Sequence, residues 1–235
     1  MKHCIIFLGL LTLCVSCTSK TSKTNKETKK DSVIVESNGH SYIDLGLPSG
    51  KLWATMNVGA ESPSDYGAYF SWGEIVSKSN YSWNTYKWGD GHSFIKYNAD
   101  IDNTFGPVDN KTTLDKEDDA ATVNWGGNWY TPTSDDWAEL SNKDNCTWLF
   151  TNQNGVNGQM VTSRINGNSI FLPAAGVYYD QYIDFKGKHA EYWSSSLCKA
   201  VPYKAYILSF GAGGVSCNEG NERRDGRPVR PVLRQ

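Results

Sequence analysis

Asn-Gly pairs are the sequence feature that most constrains this fold. Four of them occur after residue 37, at 38–39, 154–155, 157–158 and 166–167. Asn and Gly tolerate a positive φ, so the pair favours the tight turns that join antiparallel strands. The clearest pattern runs from Gln159 to Leu172, where alternating residues flank Asn166-Gly167 and predict a hairpin with a two-residue type I′ turn. We therefore expect many short antiparallel strands.

The remaining patterns predict an α+β domain at 37–235 with two short helices. Thr133 is a good N-cap for a helix over 134–143, in which Trp137 and Leu140 share one face. A second helix is predicted over 114–123, where acidic residues come early. Further strands are predicted at 52–58, 191–195, 205–210, 214–217 and 228–233.

The start of the chain predicts an export signal. The apolar run at 5–15 is too short to span a bilayer, and it ends at Cys14-Val15-Ser16-Cys17. A small residue before a cysteine resembles the lipobox of bacterial lipoproteins, which implies a signal peptide at 1–16 and a lipid such as palmitate on Cys17. The alternative is an ordinary signal peptide with incidental cysteines. The polar, lysine-rich residues that follow predict a flexible tether at 17–36.

These features predict a lipid-anchored protein of the bacterial cell envelope, at the outer membrane. The lysine-rich start of the tether leaves open which membrane face the protein occupies. The partners expected are the membrane, through the anchor, and an unknown ligand.

Charge and composition exclude two broad classes. Residues 32–235 carry 17 basic and 23 acidic residues, a balance of −6, so a chain that coats nucleic acid is excluded. A hydrophobic fraction of 39% is enough for a core and excludes wholesale disorder.

Common catalytic and metal-binding motifs are missing. None of the four histidines has metal-ligand spacing, and the chain has no G-x-S-x-G, P-loop or Gly-rich dinucleotide turn. The acidic group Asp115, Glu117, Asp118 and Asp119 suits either a calcium site or a helix start favoured by the helix dipole, and we favour the second. We therefore predict no enzyme, no cofactor and no metal.

Three cysteines remain once Cys17 is lipidated. Cys198 and Cys217 flank a predicted hairpin and could bridge in an oxidising compartment, or stay free if the strand register separates them. Cys146 lies near Trp148 and is expected to be a buried small hydrophobe rather than a nucleophile.

Aromatic and arginine residues indicate where a core and a ligand surface lie. Most of the nine tryptophans are expected in the core, while tyrosines in polar loops are better ligand candidates, namely Tyr178, Tyr179, Tyr182 and Tyr203. Five arginines fall in the last 13 residues, where planar guanidinium groups can tie a terminal strand to carboxylates or carbonyls.

Motifs spread over residues 41–233 carry a resemblance to a known family. They are YIDLGLPSG at 42–50, LWATMNVG at 52–59, YFSWGE at 69–74, DDAA at 118–121, NSIFLPAAG at 168–176, YWSSS at 192–196 and VRPV at 229–232. In order and spacing they resemble the Fibrobacter succinogenes major paralogous domain family, which is similar to the C-type lectin-like superfold.

The resemblance implies a C-type lectin-like fold, with twisted antiparallel sheets whose two ends pair and long loops that present a ligand face. By analogy, that face is built near the carboxyl end. Its candidate residues are Tyr178, Tyr179, Asp180, Tyr182, Tyr203, Asn218, Asn221 and Arg223. Fold alone does not imply sugar binding.

Three functions follow as hypotheses. The first is a non-catalytic recognition module that binds a glycan or a protein, and the second is a structural or accessory subunit of a surface assembly. The third is an enzyme of the formylglycine-generating type, which the resemblance disfavours because the final stretch 226–230 lacks the cysteine that such an enzyme uses.

Overall fold

The computed structural model describes Met1 and residues 35–100, 102, 104–199 and 201–234. The chain divides into two units, Met1–Asp31 and Ser32–Gln235, and every described residue except Met1 belongs to the second. The predicted signal peptide, Cys17 and the tether up to residue 34 lie outside the described residues. Strand β1 begins at Val35, two residues before the predicted start of the domain.

The described chain is mostly antiparallel sheet with two short helices, as an α+β prediction requires. The strands are β1 (Val35–Ser37), β2 (His40–Asp44), β3 (Leu52–Ala54), β4 (Trp129–Tyr130), β5 (Cys146–Gln153), β6 (Val156–Ser163), β7 (Ser169–Pro173), β8 (Val177–Tyr179), β9 (Tyr182–Asp184), β10 (His189–Leu197), β11 (Lys204–Gly211), β12 (Gly214–Glu222) and β13 (Val232–Leu233). The helices are α1 (Ala120–Trp125) and α2 (Ser134–Ser141). Among the described residues, neither helix has the length and apolar character needed to cross a membrane.

The two ends of the domain meet in one five-stranded sheet, ordered β1-β2-β3-β13-β4. The last strand inserts between two earlier ones, with Val232 opposite Trp53 of β3 and opposite Tyr130 of β4. The predicted strands at 52–58 and 228–233 are therefore present but much shorter, as β3 and β13. Three smaller sheets, β5-β6-β7, β10-β11-β12 and β8-β9, complete the described architecture.

The predicted hairpin at 159–172 is confirmed, but its turn differs from the prediction. Val161 of β6 pairs with Ile170 of β7. A type I′ turn needs a positive φ at both central residues, and here Gly167 has φ 79° while Asn166 does not have one. The Asn166 side chain instead donates to Asp44 O at 3.0 Å, so the longer connection is held against β2.

The helix predicted at 134–143 forms as α2, while the one predicted at 114–123 forms only in part, with boundaries set by caps. For α2, Thr133 Oγ1 accepts from Asp136 N at 3.2 Å and Asp136 Oδ2 accepts from Thr133 N at 2.8 Å, which is a capping box. The helix predicted at 114–123 is instead a 3-10 turn, Lys116–Asp118, followed by α1. The break comes at Asp119, because its carboxylate accepts from Ala121 N and caps a new helix there.

Tryptophans and arginines form the centre of the domain. Five tryptophans are fully buried, Trp53, Trp72, Trp129, Trp137 and Trp193, which confirms the expected aromatic core. Three of the C-terminal arginines, Arg223, Arg227 and Arg230, have no exposed surface, and their guanidinium groups bind carbonyls, side-chain oxygens or carboxylates. The predicted structural role for this arginine group is therefore confirmed.

Candidate ligand surface

A short hairpin positions the tyrosines that the sequence selected. Strands β8 and β9 pair through Tyr179 and Tyr182, and the turn residue Asp180 has φ 50°. Two backbone bonds of 2.9 Å join Tyr178 to Gly226, and Tyr81 N donates to Asp180 O at 2.7 Å. The hairpin is thus fixed to the domain at both its strand and its turn.

The tyrosines of this hairpin have different roles. The Tyr178 ring packs against Tyr69 and Tyr81, with ring centroids 5.0 and 5.2 Å apart, so it anchors the hairpin. The Tyr179 and Tyr182 rings are neighbours at 6.2 Å. Tyr182 is 59% exposed, while Tyr179 is half-buried. A ligand can therefore reach Tyr182 and the open side of Tyr179.

Charged side chains border these two rings. Arg224 donates from Nη1 to Asp180 Oδ1 at 3.0 Å and from Nε to Glu222 Oε2 at 2.7 Å. Its guanidinium carbon also lies 5.8 Å from the centroid of the Trp83 ring, within cation–π range. The sequence analysis did not select three residues of this border as ligand candidates, namely Arg224, Glu222 and Trp83. Arg224 belongs to the group of C-terminal arginines, for which the sequence predicted a structural role.

A buried ionic layer lies next to this surface. Arg227 Nη2 is 2.7 Å from Glu191 Oε2 and 3.3 Å from Asp225 Oδ2, and Asn221 Nδ2 donates to the same Glu191 oxygen at 2.9 Å. Burial alone would raise the pKa of Glu191, but the charge of Arg227 and the hydrogen bonds from His189 and Arg227 together outweigh burial and hold that pKa at about 2. Burial raises the pKa of Asp225 to about 6, in spite of Arg227 and Arg224. Burial and the Glu191 charge both raise the pKa of Tyr179, which places that ring beside the layer.

Arg223 does not belong to the surface, which corrects the sequence prediction. It has no exposed area, and its Nε donates to Tyr86 OH at 2.8 Å while Nη1 donates to Pro202 O at 2.9 Å. The Trp72 and Phe94 rings lie 4.9 and 4.4 Å from its guanidinium carbon. A ligand therefore cannot reach this side chain without opening the core.

Among the described residues, no ring contact or hydrogen bond joins Tyr203 or Asn218 to the pair formed by Tyr179 and Tyr182. The Tyr203 ring lies 5.9 Å from Phe105, and Tyr203 O accepts from Arg223 N. Asn218 is exposed on β12, near the irregular stretch of the β11–β12 pairing. The structure therefore brings together Tyr179, Asp180 and Tyr182 with Arg224 and Glu222, and we call these five residues the hairpin surface.

The cysteines of the described chain are free thiols. Cys198 and Cys217 are unbridged, and the Cys198 sulfur lies against Gly220, where an added Cβ would be 2.2 Å from it. Cys217 packs instead against the core cluster that contains Phe210. Cys146 is buried as expected, and burial raises the pKa of the Cys146 and Cys198 thiols to about 11, so both are protonated at neutral pH.

Lys96 occupies the acidic group that had suggested calcium. Its ammonium lies 2.7 Å from Asp115, 2.5 Å from Asp118 and 3.7 Å from Glu117. These are the residues whose carboxylates come close enough together to share an ion. Lys87 and Lys111 also pair with members of the group, so three ammonium groups balance three carboxylates. The cluster is explained as an internal ion-pair network.

Comparisons of the chain with protein-family models, with curated proteins and with solved structures found no match.

Proposed function

We propose that this chain is a non-catalytic recognition module of the C-type lectin-like type, related to the Fibrobacter succinogenes major paralogous domain family. In this proposal a lipid on Cys17 anchors it to the bacterial envelope. The sequence motifs support the family relationship, and the pairing of the last strand, β13, with the early strand β3 supports the fold. The ligand is a glycan or a protein, bound at the hairpin surface.

The observation that carries the proposal is the exposed Tyr182 ring beside Tyr179 on an anchored hairpin. A held ring loses little conformational entropy on binding, and it offers an apolar face to a sugar ring or a peptide side chain. Asp180, Arg224 and Glu222 supply donors and acceptors at its border. Rings for contact and polar groups for orientation are the combination found in binding sites.

A glycan array probed with the full chain tests the ligand class. The array is run with calcium and again with a chelator, and we expect saturable binding to one sugar class that is unchanged by the chelator. The reason is that Lys96 already neutralises the acidic group at 115–118. Loss of binding in chelator would contradict this account of the acidic group.

A blank array with folded protein would exclude the glycan form of the proposal. A surface pull-down then decides between the protein-ligand form and the accessory-subunit alternative. A partner that is lost with Tyr182→Ala supports recognition through the hairpin. A stable partner retained by that variant overturns it in favour of an assembly role.

A further inference from the structure

A concave site lies away from the hairpin surface and shares no residue with it. It is a cavity of about 590 Å³, lined by the end of α2, by β5 and β6, and by the turn that joins β11 to β12. Cavities that bind small molecules in proteins are typically about 300–1,000 Å³. Its volume therefore suits a small organic molecule.

The walls of the cavity are aromatic and firmly held. Trp148 and Phe150 are half-buried on β5, and Val215 faces the cavity from β12. The Trp148 indole nitrogen donates to Leu140 O at 3.2 Å, and its ring lies 6.3 Å from Phe210. Because the indole N–H is already used, Trp148 offers the cavity an apolar ring rather than a donor. These walls favour a flat apolar body.

Two oxygen atoms of lining residues are buried without a hydrogen-bond partner. Gln159 is only 3% exposed; its Nε2 donates to Gly211 O at 3.0 Å, but its Oε1 has no partner, and neither has Ser141 Oγ. An unpaired buried polar atom destabilises the folded protein, so a ligand donor that reached Oε1 would remove this destabilisation. Gly213 and Gly214 form part of the turn beside it and carry no side chain that blocks an approach.

The charges at the cavity favour an anion. Lys143 and Arg164 line it, are exposed, and make no ion pair with a described residue. Burial and the nearby charge of Glu139 raise the pKa of the Cys146 thiol, which lines the cavity. The Glu139 carboxylate accepts hydrogen bonds from Ser49 N at 2.8 Å and from Ser49 Oγ at 2.6 Å. The hydrogen bonds from Ser49 leave the charge of Glu139 in place, but the two cations outnumber it, so these three side chains together carry a net positive charge.

We infer that this cavity binds a small planar carboxylate that carries a hydroxyl or N–H donor. The flat body lies against Trp148 and Phe150, the carboxylate faces Lys143 and Arg164, and the donor is directed at Gln159 Oε1 past the turn formed by Gly213 and Gly214. This site is separate from the hairpin surface and does not depend on the function proposed for it.

Three matched probes separate charge from hydrogen bonding. Isothermal titration of the full chain uses 4-hydroxybenzoate, benzoate, which lacks the hydroxyl, and 4-hydroxybenzamide, which lacks the charge. We expect 4-hydroxybenzoate to bind most tightly, with about tenfold loss for each analogue, which corresponds to about 1.4 kcal/mol. Equal affinity for the acid and the amide, or no saturable binding of any probe, would overturn the inference.

A charge-removing variant tests the location of the site. Both cations are exposed, so Lys143→Gln with Arg164→Gln keeps the fold, which circular dichroism verifies. The double variant is expected to lose about tenfold in affinity for 4-hydroxybenzoate and to keep its affinity for 4-hydroxybenzamide. Ile95→Ala, at an exposed position outside both the cavity and the hairpin surface, is the control and leaves both affinities unchanged. Binding of 4-hydroxybenzoate that is unaffected by the double variant places the ligand elsewhere and refutes the site.

Discussion

Buried arginines are the most unusual residues of this domain. Arg223 and Arg230 have no exposed area and make no ion pair with a described carboxylate. Arg230 binds Asn57 Oδ1, Ala54 O and Phe171 O at 2.8–3.0 Å, and burial lowers its pKa to about 10. A guanidinium tolerates such sites because it is weakly hydrated and its planar donors match several carbonyls at once. Each arginine thus ties distant segments of the chain together.

Replacing Arg223 by lysine tests this role. Lys cannot reproduce the bonds from Arg223 to Tyr86, Tyr97 and Pro202, so Arg223→Lys is expected to lower the free energy of unfolding by about 3 kcal/mol. Chemical denaturation measures the change. Arg224→Lys, next in the chain but partly exposed, is the control and should cost less than about 1 kcal/mol. If both variants lowered the free energy of unfolding by the same amount, the tying role of the buried Arg223 side chain would be contradicted.

Asp225 predicts a pH dependence of stability with a defined sign. Its pKa is about 6 in the folded protein against the ordinary aspartate value of 3.8, so the native state keeps a proton that the unfolded chain releases. The stability that this group contributes is complete below pH 3.8 and is lost as the pH rises through 6. Glu191 acts oppositely: its folded pKa of about 2 lies below 4.5, so its contribution is present above 4.5 and is lost only in acid.

Comparing the natural protein with Asp225→Asn by denaturation from about pH 5 to 7.5 isolates the Asp225 effect, because the Glu191 contribution is nearly constant there and the lowered pKa of His40 affects both proteins alike. Stability is expected to fall across this range in the natural protein and to change much less in Asp225→Asn. The exposed Asp144→Asn serves as the control and should keep the natural slope. If the free energy of unfolding of Asp225→Asn fell with pH as steeply as that of the natural protein, another group would be responsible for the pH dependence.

The arginines also show what sequence can and cannot predict for single residues. Clustering near the carboxyl end predicted a structural role, and the structure confirms it for Arg223, Arg227 and Arg230. The same pattern could not separate buried Arg223 from the partly exposed Arg224 beside it, because neighbouring identical residues carry no local signal of burial. That difference comes from the rings of Trp72 and Phe94, which are distant in sequence.

Caps and turns set the boundaries of the helices and strands. The sequence predicted α2 well because the residues of its capping box are close together in the chain. The boundary at Asp119 was harder to predict, because its carboxylate also accepts a hydrogen bond from Thr131, twelve residues away. The hairpin β8–β9 was not predicted as a strand pair, since three-residue strands joined by Asp180-Gln181 lack the Asn-Gly signal. Its place is fixed by long-range bonds to Tyr81 and Gly226.

Removing the cap of α2 should have a measurable cost. Thr133→Ala leaves Asp136 N without its side-chain acceptor, and the free energy of unfolding should fall by about 1 kcal/mol. Thr133→Ser keeps the hydroxyl and is expected to stay within about 0.3 kcal/mol of the natural protein. If alanine and serine were equally stable, the capping bond would contribute nothing.

Gly226 supports the hairpin through close packing. A Cβ at this position would lie 2.7 Å from the Tyr81 ring and 2.8 Å from Tyr178 Cβ. Gly226→Ala is therefore expected to displace the hairpin, to cost about 1–3 kcal/mol in stability and to weaken ligand binding. Gly213→Ala is the control, since a Cβ there meets nothing within 4 Å. Unchanged binding and melting temperature in Gly226→Ala would show that the hairpin does not rest on this contact.

At the scale of the molecule, the last strand closes the domain. β13 pairs with β3 and β4, so the fold cannot be completed until residues near both ends are present. Alternation and turn signals predicted the antiparallel α+β class. The order of strands in the central sheet could not follow from local pattern, because pairing between segments about 180 residues apart depends on packing of the whole core.

We propose that the hairpin surface binds ligand without holding the fold together. The most direct measurement compares ligand affinity and melting temperature for the natural protein, Tyr182→Ala and the control Ile95→Ala, since Ile95 is also exposed, at 72%. We expect at least about a tenfold loss of affinity for Tyr182→Ala alone, with all three melting temperatures alike. Unchanged affinity in Tyr182→Ala, or a loss matched by an equal fall in melting temperature, would contradict it.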